Sequence, residues 1–168
     1  SIFPTPCRAV LKAENYQQAN ALNRMKTGKG LSKQSWNITS KIKEVDSFLQ
    51  GHPEKVDKII ESHPEACFAA LNGGEPMEYY KKKAEGKKER ISLLNRYVNG
   101  TKRFIETKMK EITNKEAVDD DLFDAMCLSL SASGGYNNLR FLPESYEFDS
   151  MGLPMRIAIP IYSALKKS

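Results

Sequence analysis

Few residues in this chain suit covalent or soft-metal chemistry. Among 168 residues there are three cysteines, two histidines and one tryptophan. Cys7, Cys67 and Cys127 are odd in number and lack metal-ligand spacing, which excludes a disulfide framework and a zinc-finger pattern. They read as buried free thiols in a reducing compartment, so a cytoplasmic location is expected. No apolar run approaches the roughly 20 residues needed to cross a bilayer. No charged and then apolar leader precedes Ser1-Ile2-Phe3-Pro4-Thr5-Pro6, and no glycine-rich phosphate loop of the Walker type is present. The chain opens on serine within a proline-rich stretch, which points to sequence upstream.

What is present is ordinary for a globular domain, with 40% hydrophobic and 28% charged residues. A net charge of +5 and a pI near 9.0 suit a polyanionic partner. With no internal repeat or linker in view, one domain over 1–168 is the expectation.

The punctuation predicts a helix-rich chain. Pro4 and Pro6 keep the start extended. A helix over about Asn15–Lys26 should stop at Thr27-Gly28-Lys29-Gly30. A longer one over about Ser32–Leu49 carries the stripe Ile38, Ile42, Val45 and Leu49, and Gly51 and Pro53 close it. Val56–Ser62 is short and β-branched and reads as a strand. Helices follow at about Pro64–Leu71, Lys87–Val98, Thr101–Ile112 and Asp120–Ala132, then a strand at Met155–Ile161. The class is α/β with a small sheet.

The carboxylates are the candidate chemistry. Asp121 and Asp124 lie three apart, and Asp120 and Asp124 four apart, so each pair shares a helix face. Acids at Asp119 to Asp121 also suit a helix N-terminus, where they offset the dipole. Asp124 differs, because Leu122–Ala132 is apolar or small on nearly every side and reads as buried all round. A carboxylate there must be paired with a cation, protonated or bound to a metal. Glu61 closes the Ile-rich strand just before a helix start, where ligand sites gather in α/β sheets. Glu65 suits a dipole partner, and His63 a cap or a proton shuttle. The run Lys81–Arg90 holds six basic and two acidic residues in ten, which suits either a solvated helix start or phosphate contact. Lys82, Lys87 and Arg90 are its candidate phosphate contacts.

The strings SIFPTPCRAVL, TGKGLSKQSWNITSKIKEVD, ESHPEACFAALNGG, KKKAEGKKER, DDLFDA and DSMGLPMRIAIP occur in this order. Together they resemble a bacterial and archaeal family of predicted nucleases with a ribonuclease H-like fold, over residues 1 to about 162. The resemblance implies the C-terminal part of such a fold, helix-rich with a small residual sheet. A helical insertion would cover about 15–50 and the ribonuclease H-like remainder about 55–162. It implies Glu61 as the later-strand acid and Asp121 and Asp124 as the helix pair. These would hold Mg²⁺ or Mn²⁺ for phosphodiester hydrolysis of DNA or RNA. The family's first strand, with its leading Asp, has no counterpart here. The chain alone is therefore expected to lack part of the active site and to cleave poorly. It should also pair as a homodimer, or with an N-terminal segment, to cover Leu122, Met126 and Ile59. Two other readings stand beside the nuclease: a non-catalytic nucleic-acid-binding or regulatory module, and a phosphohydrolase or phosphotransferase on a small substrate.

Overall fold

The computed structural model describes residues 5–111 and 119–161, and the chain divides into two compact units, Ser1–Ile59 and Ile60–Ser168. Residues 1–4 of the expected extended start, and Ile112 at the end of one expected helix, lie outside the described residues.

The first unit is helical. A 3-10 turn at Arg8–Lys12 leads to α1 (Tyr16–Thr27). Asn15 caps α1 by accepting from the Gln18 amide, and Gly28 ends it at φ 73°, the left-handed conformation that glycine adopts without strain. The buried Asn23 fastens the surrounding loops. Its Oδ1 accepts from the Cys7 amide at 2.9 Å, and its Nδ2 donates to the Lys29 carbonyl at 2.9 Å. Val10, Ala19 and Leu31 form the small core, with Cys7, Ala13 and Trp36 against it.

The helix expected over Ser32–Leu49 is two helices, α2 (Lys33–Asn37) and α3 (Thr39–Gly51), meeting at Ile38. The Thr39 hydroxyl takes the Trp36 carbonyl at 2.7 Å and competes with the backbone ladder at that point. The apolar stripe is only partly covered, since Ile38 and Val45 are 50% and 51% exposed. Residues 56–59 form no strand. Pro53 starts a 3-10 turn at Pro53–Lys55, and the amides of Val56, Lys58 and Ile59 bond back to Pro53 and Lys55. A helical turn with local partners satisfies this backbone before any β-branched preference can act.

The second unit carries α4 (Pro64–Leu71), α5 (Ala84–Asn95), α6 (Thr101–Glu111), α7 (Asp119–Ser133), β1 (Leu139–Leu142) and β2 (Ile157–Pro160). β1 and β2 pair antiparallel with Leu139 opposite Pro160, and Ser62 makes a single parallel bridge to Ala158 on the other side of β2. Of the expected strand Val56–Ser62, only this bridge is realised. The architecture is helix-rich with a two-stranded sheet, consistent with the α/β class.

Cys67, Phe68, Leu71, Leu93, Leu94, Ile105, Phe123, Cys127 and Ile159 fill the core. α7 is not buried all round. Phe123, Cys127 and Ser131, one turn apart, form its buried stripe, while Ala125, Ser129 and Ala132 are exposed. Leu122 and Met126 pack half-buried against this unit's own core, and Ile59 is exposed.

Candidate carboxylate site

The site forms where the loop before α5 meets the first turns of α7. Lys81 Nζ lies 3.0 Å from Asp124 Oδ2 and 3.3 Å from Asp120 Oδ2. Asp120 and Asp124 are one helical turn apart, so a single ammonium reaches both. Asp124 Oδ1 is buried and has no hydrogen-bond partner among the described residues. Burial alone would lower the Lys81 pKa. The hydrogen bonds and negative charges of Asp124 and Asp120 outweigh it and hold the ammonium above the ordinary lysine range.

Lys81 is held in place from beneath. The Glu89 carboxylate accepts the Glu78 and Tyr79 amides at 2.9 and 3.1 Å, and Arg90 Nη1 donates to the Tyr79 and Gly86 carbonyls. Arg90 is only 2% exposed and lies 5.3 Å over the Phe68 ring. Its Nη2 donates to both oxygens of Glu65, at 2.9 and 2.8 Å, on the first turn of α4. Gly86 sits where α5 passes against the Tyr79 and Tyr80 backbone. A Cβ there would come within 2.8 Å of the Tyr80 carbonyl carbon and closer still to its oxygen.

The residues singled out in the sequence separate accordingly. Asp124 is ion-paired, and Asp120 joins it. Asp121 is exposed on the adjoining face of α7. Glu61 is exposed, and its carbonyl accepts the Ala158 amide at 2.8 Å. Among the described residues no three His, Cys, Asp or Glu side chains group to hold a metal ion. The donor set that fits a hard cation is therefore the Asp120–Asp124 pair with its orphaned oxygen. Of the three basic residues proposed for phosphate contact, Lys82 is exposed and Lys87 half-buried. Arg90 is turned inward and committed to Glu65, so it offers no surface charge. His63 precedes α4 without capping it through its side chain.

Two features escaped the sequence reading. Lys81 is one lysine among three in a row, and its partner lies 43 positions away. Cys67 and Cys127 lie in one buried core cluster, where α4 packs against α7. No local pattern marks either pairing.

The sequence profile of a family described as Protein of unknown function (DUF429) matches residues 1–146. The chain belongs to that family. No curated protein and no solved structure matches it. The family description names no activity, so the site must be read from its own chemistry. No helix among the described residues is long and apolar enough to cross a membrane.

Proposed function

We propose that this chain carries part of the active site of a metal-dependent phosphodiesterase acting on nucleic acid, with Asp120 and Asp124 as its cation ligands. The reading is carried by one observation: two carboxylates converge on a single cation position, and one buried carboxylate oxygen there is unsatisfied. Oxygen donors without sulfur or imidazole suit Mg²⁺ or Mn²⁺. A divalent ion held there would stabilise charge on a phosphoryl oxygen. Lys81 would exchange its carboxylates for substrate phosphate when the ion enters. The exposed Lys82 and the half-buried Lys87 would contact the backbone of the polyanion. Asp121 and Glu61 remain the further carboxylates that the resemblance to ribonuclease H-like nucleases implies, within the helix-rich C-terminal part of that fold.

Calorimetric titration of Mn²⁺ into the full chain tests this, alongside cleavage of labelled single- and double-stranded DNA and RNA. Asp124→Asn should weaken Mn²⁺ binding by about 10–100-fold, the range for losing a group that supports a metal. It should also abolish any metal-dependent cleavage, while Lys81→Ala should tighten the ion. Equal Mn²⁺ affinity in wild type and Asp124→Asn would reject the site.

The Lys81 ion pair also favours a second reading, a nucleic-acid-binding module in which the carboxylates are structural. Salt-sensitive binding to oligonucleotides, lost on replacing Lys82 and Lys87 and indifferent to Mn²⁺, would establish it.

A further inference from the structure

Helices α4 and α7 pack against each other, and each brings one fully buried thiol to their contact, Cys67 and Cys127. The two side chains are close enough that each bears on the other's proton affinity. Cys67 Sγ lies 3.1 Å from Ser62 Oγ, whose hydroxyl donates to the Ala158 carbonyl at 2.7 Å. Cys127 Sγ lies 3.8 Å from the Pro64 carbonyl, and Ser131 Oγ donates to the Cys127 carbonyl at 2.8 Å. Two thiols side by side, each braced by serine hydroxyls and backbone carbonyls, form more than inert filling.

Their proton affinities diverge. The hydrogen bond from Cys127 pulls the Cys67 pKa down to about 6, against burial and with help from Ser62, Ser131 and the charge of His63. The same hydrogen bond, burial and the charges of Cys67 and Asp124 push Cys127 upward. Cys67 is therefore the thiol of the pair that ionises more readily. The thiolate is the reactive form of cysteine.

We propose that Cys67 and Cys127 are an oxidisable dithiol, converted by a peroxide into an intramolecular disulfide that cross-links α4 to α7. Cys67, once ionised, attacks one peroxide oxygen, forming an S–O bond as the O–O bond breaks, and the departing hydroxide takes up the proton that Cys67 released. Cys127 then attacks the sulfenic sulfur. The S–S bond forms, the S–O bond breaks, and the oxygen leaves as water with the Cys127 proton. In sum, two thiols and one peroxide give one disulfide and two waters, and a small thiol reductant reverses the change. Because both sulfurs are buried, the oxidant enters through local opening of the helix pair, and the reaction is slow relative to that of an exposed thiol. The link would pin the helix that carries Asp120 and Asp124. The proposal stands whether or not those carboxylates bind a metal.

The test treats the reduced, folded chain with hydrogen peroxide, alkylates the remaining thiols in denaturant, and maps peptides without reduction. The expected result is a monomer lighter by two hydrogens, a Cys67–Cys127 peptide, Cys7 still alkylatable, and full reversal by dithiothreitol. Cys7→Ser should form the link at the wild-type rate. Cys127→Ser should instead leave a Cys67 sulfenic acid that dimedone captures, and the wild-type map carries the test should that variant fail to fold. Thiolate absorbance of the native chain should rise with a midpoint of about 6. Three outcomes would overturn the proposal: sulfinic acid on Cys67 without the link, oxidation confined to Cys7, or a link that forms only in denaturant.

Discussion

Glu65→Ala is expected to be among the most damaging single changes in the second unit, costing about 3 kcal/mol, because it strands a buried guanidinium without its carboxylate. Arg90 is nearly inaccessible and gives both Nη2 contacts to Glu65, so water reaches the guanidinium only through the space that Glu65 leaves. Partial exposure of Glu65 keeps the figure at the lower end of the range for broken buried pairs. At the size of this chain, that corresponds to a fall in melting temperature of roughly 6–12 °C. Differential scanning calorimetry checks it. Glu65→Ala combined with Arg90→Met should recover much of the loss, because the unpaired charge is then gone. A double variant no better than the single would mean that packing, not charge, sets the cost.

Gly86→Ala should reverse the usual sign of a helix substitution. In an open helix interior, alanine gains about 1 kcal/mol over glycine. Here the added methyl meets the Tyr80 and Tyr79 backbone, which cannot turn aside as a flexible side chain would. Overpacking of this kind costs about 1–3 kcal/mol, so the net change should be a loss of up to about 2 kcal/mol. Urea unfolding measures it directly. A functional effect should accompany it, because the displaced carbonyl belongs to the residue before Lys81. Any Mn²⁺ affinity at Asp120 and Asp124 should therefore change in Gly86→Ala, although no ligand has been touched. A variant as stable as wild type would show that the loop yields more readily than its hydrogen bonds suggest.

The elements legible in the sequence were those with local stops. α4 starts at Pro64 and ends at Asn72-Gly73-Gly74, and its expected bounds match those observed. α1 lies between Asn15 and Gly28 for the same reason. The strand over Val56–Ser62 failed because Pro53 commits the following amides to a turn, which β-branched composition does not register. β1 went unseen because its partner lies in β2, well downstream in the sequence, and four residues are too few for a period to show.

The candidate site divides along the same line. Asp124 was legible as a carboxylate needing a partner, since it is the one charge between Leu122 and Ala132. The identity of that partner was not, because three successive lysines look alike until the loop is folded. Arg90 was misread because a run of basic residues suggests a surface. Only Glu65 on α4, with Phe68 beneath the guanidinium, turns that one side chain inward.

The ammonium of Lys81 is attached to the same chain as the carboxylates it faces, so it competes for them at a local concentration that dilution does not alter. Tethers of this length correspond to effective concentrations on the order of millimolar. If the proposed site takes a cation, a singly charged ion would have nothing extra to offer two carboxylates already neutralised in part, whereas an ion of charge two would gain from both oxygens at once and displace the lysine. Selection by valence would then need no rigid coordination cage, only a cation on a loop that Glu89 and Arg90 keep within reach.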